Sequence, residues 1–298
     1  MGWAARFRTQ RLPVVAGALA AVAVGLVAWA VAGGTDGAGP SGLADPGPVH
    51  VHALGVNPSD EALFIATHTG LYRVGPGERE ARRVSDRRQD TMGFTVVGPD
   101  RFLGSGHPDL RDGLPPHLGL IESVDAGVTW QPVSLLGEAD FHVLRLAGER
   151  VYGYDSSNDR LLVSADRGET WEELEKPGAI VDLAVSPLER RRVVVTSLGG
   201  PQGGLFASRD AGRTWVRIAD AVGLLAWPRE QTLYLVTGAG ALLVSADGGR
   251  RFVRRGDVGG EPAAFLAQRP DELYVALHDG TVKRSLDGGA TWTLRTAP

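Results

Sequence analysis

The stretch Ser285-Leu286-Asp287-Gly288-Gly289-Ala290-Thr291-Trp292 decides the fold, because its pattern recurs upstream in the 298-residue chain. The pattern is Ser-x-Asp-x-Gly-x-Thr-Trp, and we call it the repeat motif. Complete copies also begin at Ser123, Ser164 and Ser208, and a partial copy begins at Ser245. Successive copies start 41, 44, 37 and 40 residues apart. A nearly constant period of this length is typical of propellers and solenoids.

The residues between copies of the repeat motif form short apolar stretches separated by turn residues, which predicts antiparallel strands rather than helices. Six units of four strands can be marked out. The first unit lacks the motif, and the second carries an insertion at 107–117 that is rich in Pro, Gly and Asp. Units of about forty residues arranged radially make a β-propeller, whose closed ring protects strand edges. We therefore predict an all-β, six-bladed β-propeller, with seven blades as the alternative.

The repeat motif is predicted to be a structural turn between the third and fourth strands of a unit. Its Gly tolerates positive φ, and its Asp can accept hydrogen bonds from the backbone of the turn. Thr is expected to begin the outer strand and Trp to pack inward. In the partial copy, Arg251 and Phe252 replace Thr and Trp. The residues with this structural role are Asp125, Asp166, Asp210, Asp247, Asp287, Trp130, Trp171, Trp215 and Trp292.

The repeat motif resembles the Asp-box, or BNR repeat. Asp-box propellers include sialidases and other exported glycosidases, sortilin-type receptors and photosystem II assembly-factor-like propellers. The segments 50–56, 63–73 and 91–95 look like a bacterial exported group labelled glycosyl hydrolase by its similarity to sialidases. The resemblance implies the propeller fold. It leaves the function open, because one propeller fold hosts many functions.

One function implied by the resemblance is an exported glycoside hydrolase of exo-α-sialidase type. Such an enzyme needs arginines for the substrate carboxylate, a tyrosine nucleophile assisted by a glutamate, and an acid for the leaving group. The family's first arginine lies in an Arg-Ile-Pro-type motif, where this chain has His50-Val51-His52. Among the tyrosines, Tyr152 and Tyr154 beside Asp155 lie nearest a predicted strand end. We assign no catalytic residue and keep the hydrolase as the alternative to a non-enzymatic binding or assembly module.

The N-terminal region is predicted to be a membrane anchor. Arg6, Arg8 and Arg11 precede an uncharged run, 12–34, that is long enough to cross a bilayer as a helix with its N-terminus in the cytoplasm. The alternative is a signal peptide cleaved within 28–32, which would make the protein secreted. The predicted parts are a basic cytoplasmic N-terminus at 1–11, the anchor or signal at 12–34, a flexible linker at 35–47 and an extracytoplasmic propeller at 48–298.

Charge and composition restrict the partners. The net charge of −4 gives no basic footprint for nucleic acid. The absence of cysteine excludes disulfides, thiolate catalysis and cysteine-ligated metals. We therefore expect the membrane as a partner through 12–34, a protein partner or a glycan at the propeller, and no nucleic acid.

Histidines are concentrated at one end of the predicted blades. The start of a blade's first strand and the end of its second lie on the same face, since the strands are antiparallel. Near these positions lie His50, His52, His68, Met92, His107, His142 and His278, with His117 in an adjoining loop. Imidazoles with a thioether suit copper, and imidazoles alone suit zinc. We predict a metal or small-ligand site at the channel mouth; the alternative is that these histidines only occupy polar loops. The candidate ligands are His52, His68, Met92, His107 and His142.

Overall fold

The computed structural model describes residues 47–199 and 202–298. These residues form 24 strands in six four-stranded antiparallel sheets. Within the described ranges, no helix is long and apolar enough to span a membrane. The predicted N-terminus at 1–11, the anchor at 12–34 and all but the last residue of the linker at 35–47 lie outside the described residues.

The strands of each sheet follow chain order from the molecular axis outward, so each sheet is one blade. Blade one contains β1 (Val51–Val56), β2 (Leu63–Thr67), β3 (Gly70–Val74) and β4 (Arg82–Arg83). Blade two contains β5 (Asp90–Gly98), β6 (Arg101–His107), β7 (Leu120–Ser123) and β8 (Gln131–Ser134). Blade three contains β9 (Phe141–Ala147), β10 (Arg150–Asp155), β11 (Arg160–Ser164) and β12 (Glu172–Leu174).

Blade four contains β13 (Ala179–Val185), β14 (Val193–Leu198), β15 (Gly204–Ser208) and β16 (Val216–Ala219). Blade five contains β17 (Gly223–Arg229), β18 (Thr232–Thr237), β19 (Ala241–Ser245) and β20 (Val253–Asp257). Blade six contains β21 (Pro262–Ala267), β22 (Leu273–Leu277), β23 (Val282–Ser285) and β24 (Thr293–Thr296). The prediction of six four-stranded units is confirmed.

The hydrophobic core lies between neighbouring blades. Every residue of β2 and of β22 is buried, whereas most residues of the outer strands β8, β16 and β20 are exposed. Between blades one and two, the Phe64 and Phe94 rings each meet Phe102 edge-on, at 4.8 and 5.3 Å. Burying one such side chain stabilises the fold by about 1.5–3 kcal/mol. The core therefore fixes each blade against the next and holds the axial strands in a ring.

The ring closes by packing blade six on blade one. Val51 and Leu54 share a buried cluster with Ala264 and Tyr274. Arg295 of β24 also donates hydrogen bonds to backbone carbonyls of blade one, at Glu78 (2.5 Å), Gly75 (2.7 Å) and Val74 (3.2 Å). Blade one thus meets blade six directly, and the alternative of seven blades is wrong for the described chain.

The turns formed by the repeat motif share one hydrogen-bond pattern, seen for example at Ser164–Trp171. Ser164 Oγ donates to Asp166 Oδ1 (2.7 Å) and accepts from the Gly168 amide (2.7 Å). Thr170 donates its amide to Asp166 Oδ1 (2.9 Å) and its hydroxyl to Oδ2 (2.6 Å). The motifs beginning at Ser123, Ser208 and Ser285 repeat these bonds. The motif aspartate therefore closes the turn, as predicted.

The outer strand begins later than predicted. In blade three it starts at Glu172 rather than at Thr170, because both Thr170 donors are committed to Asp166 and hold that residue in the turn. Trp171 packs inward as expected, with its ring 4.9 Å from Phe141, but it is only half-buried. Its Nε1 donates to Ser134 Oγ of blade two at 2.9 Å. The motif tryptophan thus joins neighbouring blades.

Candidate functional site

A β-bulge occurs near the start of five of the six axial strands. In β1, Val51 pairs with Thr67 and Ala53 pairs with Ala66, so His52 is the extra residue. A bulged residue is left unpaired, and its side chain departs from the regular alternation of the strand. The extra residues are His52, Met92, His142, Val181 and Ala263. Three of the five predicted ligands therefore occupy one repeated structural position.

The first histidine group consists of His52, His68 and Asp90, at the seam between blades one and two. His52 lies in the bulge of β1, His68 directly follows β2, and Asp90 is the first residue of β5. Asp90 Oδ2 accepts a 2.8 Å hydrogen bond from His68 Nδ1, and Asp90 Oδ1 is 3.6 Å from His52 Nε2. The two imidazole rings are perpendicular, with centroids 4.4 Å apart. Packing of blade two against blade one thus brings His68 into contact with Asp90, 22 positions further along the chain.

Two atoms of the first histidine group face each other without a hydrogen bond. His52 Nε2 and Asp90 Oδ1 are buried, and neither has a hydrogen-bond partner among the described residues. Their 3.6 Å separation exceeds the usual range of an N–H···O bond. A buried polar atom without a partner costs about 1–3 kcal/mol. An ion bound to both atoms would satisfy both.

The pKa values of His52 and His68 are shifted in opposite directions. Burial, followed by the charge of His68, lowers the pKa of His52 to about 4, although Asp90 opposes this effect. The hydrogen bond to Asp90 raises the pKa of His68 above its ordinary value, although burial opposes it. His52 is therefore neutral at physiological pH. Neutral imidazole is the form that binds a metal ion.

The second histidine group consists of His107, His117, Asp140 and His142, at the seam between blades two and three. His107 ends β6, His117 lies in the loop before β7, and Asp140 and His142 flank the first residue of β9. His142 Nε2 donates a 3.0 Å hydrogen bond to Asp140 Oδ2, and His107 Nε2 is 3.6 Å from the same oxygen. Burial opposes ionisation of Asp140, but the hydrogen bond from His142 holds its pKa below the ordinary value. Asp140 is therefore a carboxylate at neutral pH.

Four of the five predicted ligands are divided between the two groups. His52 and His68 belong to the first, and His107 and His142 belong to the second. Met92 occupies the bulge of β5, the position that corresponds to His52 in β1. Of the other histidines on this face, His50 packs its ring 5.3 Å from His68, and His278 lies outside both groups as described.

Sequence reasoning missed the two carboxylates and did not choose His117 as a ligand. Asp90 and Asp140 each come from the blade that follows the histidine at the end of a second strand. Each also lies two residues before a bulged residue, Met92 or His142. This repeated Asp-x-Met and Asp-x-His spacing was a usable signal. The bulge itself has no distinct sequence pattern here, since Val181 and Ala263 occupy it in other blades.

The axial cavity has a volume of about 210 Å³ and is lined by all six axial strands. His52 and His142, one residue from each histidine group, contribute to its lining, so the groups lie at one mouth of this cavity. The repeat-motif turns lie at the opposite end of the blades, since each follows the far end of a third strand.

An ion pair between the buried Asp182 and the half-buried Arg145 spans the cavity wall. Arg145 Nη2 donates a 2.7 Å hydrogen bond to Asp182 Oδ1, and the amides of Leu183 and Leu225 each donate to the same carboxylate at 2.8 Å. Burial raises the pKa of Asp182, although Arg145 opposes this effect. Because its donors come from blades three, four and five, this carboxylate ties three axial strands together.

The tyrosines considered for glycoside chemistry lie in the core between blades three and four. Tyr152 is fully buried, and Tyr154 donates a 2.7 Å hydrogen bond to Asp159. Burial raises the pKa of both phenols. The neighbouring Asp155 is fully buried and accepts a 2.7 Å hydrogen bond from Arg160. These contacts give Tyr154 and Asp155 structural roles.

Comparison with solved structures identifies the fold. The chain is similar to YCF48 bound to D1 peptide, at 15% identity over 81% of this chain and 94% of that chain, with a TM-score of 0.51. It is similar to a propeller in a nidogen/laminin complex, at 13% identity over 80% of this chain and 93% of the other, with a TM-score of 0.63. A GH74 xyloglucanase from Xanthomonas campestris has 20% identity over 83% of this chain, but only 45% of that enzyme is covered, with a TM-score of 0.54. The chain is a β-propeller.

Sequence comparison gives a narrower likeness. A dispase autolysis-inducing protein of Streptomyces mobaraensis is 35% identical over 97 residues, which is 32% of this chain. The matched part spans 25% of that protein's length. The chain matches no protein-family profile.

Proposed function

We propose that this chain is an exported, membrane-tethered propeller of the Asp-box type that binds a divalent transition metal at its channel mouth. The metal, zinc or copper, is held by His52, His68 and Asp90. The observation that carries this proposal is the pair of buried atoms, His52 Nε2 and Asp90 Oδ1, that face each other at 3.6 Å and find no hydrogen-bond partner within residues 47–199 and 202–298.

The dimensions of the first histidine group support a metal ion. Ligand atoms about 2.0–2.2 Å from zinc in a tetrahedron are about 3.4 Å apart. The Nε2–Oδ1 separation of 3.6 Å is close to this value, and each of the three residues offers a ligand atom within 4.8 Å of the others. Three protein ligands leave a fourth position free for water or for a partner. Copper binds such nitrogen and oxygen ligands more tightly than zinc, so availability decides between them.

The proposed biological role is a binding or assembly module. YCF48 with D1 peptide and the nidogen/laminin complex are propellers in complex with a peptide or a protein. A protein partner at the channel mouth would supply the fourth metal ligand, for example a histidine or a carboxylate. Binding of this kind requires only the metal ligands and no catalytic residue.

Export and tethering rest on residues 1–47. The basic segment at 1–11 and the uncharged run at 12–34 support a single-pass anchor, with the linker at 35–47 and the propeller at 48–298 outside the cell. Mass analysis of the mature protein tests this part. A retained N-terminus in the membrane fraction supports the anchor, and loss of about thirty residues would support a cleaved signal peptide and a secreted protein instead.

The alternative function is glycoside hydrolysis with sialidase-like ancestry, favoured by the Asp-box resemblance. Hydrolysis of fluorogenic sialosides and common hexosides by the purified chain separates the two functions. Turnover that survives metal removal would replace the binding module with the hydrolase.

Metal loading of variants tests the proposed site. The full chain is stripped with a chelator, loaded with zinc or copper, desalted and analysed for metal content. We expect His52→Ala and His68→Gln each to lose about one ion per chain. His278→Gln is the matched control, since His278 follows β22 as His68 follows β2. Equal metal retention in His68→Gln, His52→Ala and the control would contradict the proposal.

A further inference from the structure

The second histidine group repeats the first one blade further along the ring. Each group takes a histidine from the end of a second strand, His68 or His107. Each also takes an aspartate from the start of the next blade, Asp90 or Asp140. The two groups therefore occupy equivalent seams, although their remaining ligands differ.

The hydrogen bonds of His107 leave one nitrogen free to bind a metal. His107 Nδ1 lies 2.7 Å from the Pro116 carbonyl oxygen, which can only accept, so Nδ1 carries the proton. The lone pair of the neutral ring is then on Nε2, the atom that lies 3.6 Å from Asp140 Oδ2. A backbone carbonyl bound to the distal nitrogen is the usual arrangement that orients a metal-binding histidine.

Two further atoms of the second group are buried without hydrogen-bond partners in the described chain, His117 Nδ1 and Asp140 Oδ1. The Asp140 side chain is only 4% exposed, yet Oδ1 remains unpaired while Oδ2 accepts from His142. The ligand atoms of His107, His117 and Asp140 all lie within 4.8 Å of one another. An ion bound to His117 Nδ1 and Asp140 Oδ1 would give both of these buried atoms a partner.

We propose that His107, His117 and Asp140 form a second, independent zinc site at the seam between blades two and three. His142 orients the Asp140 carboxylate and is not a ligand. Two imidazoles and one carboxylate are ligands typical of an open zinc site, with the fourth position left to water or a partner. This inference rests on the proposed function in one respect, which is that the channel mouth binds metal. The two sites share no ligand, so each can be present without the other.

Zinc stoichiometry tests the second site. The full chain is stripped, reloaded with Zn²⁺, desalted and measured by elemental analysis. We expect about two ions in the wild type and in the His278→Gln control, and about one in His117→Gln and in Asp140→Asn. His68→Gln should also hold about one ion, and the combined His68→Gln/His117→Gln variant should hold almost none. His117→Gln keeps the test decisive if Asp140→Asn fails to fold, because Asp140 is buried and His117 lies in a loop.

The possible outcomes separate the two proposals. Retention of about one ion in the wild type, unchanged in His117→Gln, would overturn the second site and leave the first intact. Loss of zinc only in His117→Gln and Asp140→Asn, with His68→Gln unaffected, would support the second site and contradict the proposed function at the first. Cobalt substitution gives a second readout, since tetrahedral Co²⁺ absorbs strongly in the visible range and the absorbance should fall about twofold in His117→Gln.

Discussion

His142 acts on the second histidine group through Asp140, to which its Nε2 donates a 3.0 Å hydrogen bond. Removing such an outer partner typically weakens metal binding about 10–100-fold without removing a ligand. We therefore expect His142→Ala to lower zinc affinity by this factor while the number of bound ions at saturating zinc stays unchanged. Chelator competition measures the affinity, with His278→Ala as the control. Loss of a whole ion at saturation would show that His142 is a ligand.

The Arg145–Asp182 pair gives a second prediction for individual residues. Asp182 is buried and accepts hydrogen bonds from Arg145 and from the amides of Leu183 and Leu225. Asp182→Ala leaves the buried amides of Leu183 and Leu225 without an acceptor, and each such loss costs about 1–3 kcal/mol. The variant should therefore lower the free energy of unfolding, measured in urea, by more than about 2 kcal/mol. Glu149→Ala, which removes an exposed pair with Arg167, should cost less than about 1 kcal/mol. Equal losses in the two variants would contradict the structural role of Asp182.

The contribution of the repeat-motif turns to stability can be tested by restoring the missing threonine in the partial copy that begins at Ser245. Asp247 accepts the amides of Arg250 and Arg251, but Arg251 lacks the hydroxyl that Thr170 donates to Asp166. Arg251→Thr should restore that hydrogen bond and raise the melting temperature by about 1–3 °C. Arg250→Thr is the matched control, since the equivalent residue in other copies makes no side-chain bond within the turn. A gain that is equal in both variants would show that charge, and not the hydroxyl, is responsible.

The same turns predict how stability depends on pH. Hydrogen bonds from Thr170 and then Ser164 lower the pKa of Asp166 to about 2. The folded carboxylate therefore binds fewer protons than the unfolded one, so its contribution to stability is present above the unfolded pKa of about 4 and is lost as the pH falls to about 2. The difference in urea midpoint between wild type and Thr170→Val should narrow across that range. A difference that widens on acidification would contradict the sign of the shift.

The sequence predicts a structural element well when the interactions that form it join residues close together in the chain. The motif turn was predictable because its donors and its Asp166 acceptor lie within a few residues of each other. The start of β5 at Asp90 was not predictable, because the bulge at Met92 breaks the alternation of side chains that marks a strand. Asp90 was missed as a site residue because it contacts His68 across the seam between two blades, and spacing along the chain does not show which residues meet there.

For the whole molecule, the seam between blades six and one is the point where the ring closes. The Arg295 guanidinium donates to carbonyls at Val74, Gly75 and Glu78, and burial lowers its pKa. Hydrogen bonds from a charged group are worth about 1.5–3 kcal/mol, so Arg295→Met should lower the free energy of unfolding by that amount.

Hydrogen exchange locates the effect of Arg295→Met. Faster exchange is expected at 74–78 and along β1, with blades three and four unchanged. The control Arg254→Met removes an exposed guanidinium from β20 that pairs only with Asp257 among its described ion partners. Uniform acceleration across all blades in Arg295→Met would contradict a local role at the closing seam.

The six blades followed from the spacing of the repeat motif together with the strand pattern of the first unit, whereas the division of the histidines did not follow from the sequence. Spacing along the chain placed His52, His68, His107 and His142 on one face, but it could not show which of them share a seam. That separation arises because each second-strand histidine meets an aspartate from the following blade. The relevant distances exist only once the blades are packed in a ring.

Anomalous diffraction at the zinc edge from crystals of the zinc-loaded chain locates bound ions without any assumption about their ligands. We expect a peak about 2.0–2.2 Å from His52 Nε2 and Asp90 Oδ1, and a second peak at the same distance from His107 Nε2, His117 Nδ1 and Asp140. Zinc-loaded crystals with no anomalous peak at the channel mouth would contradict both proposed metal sites.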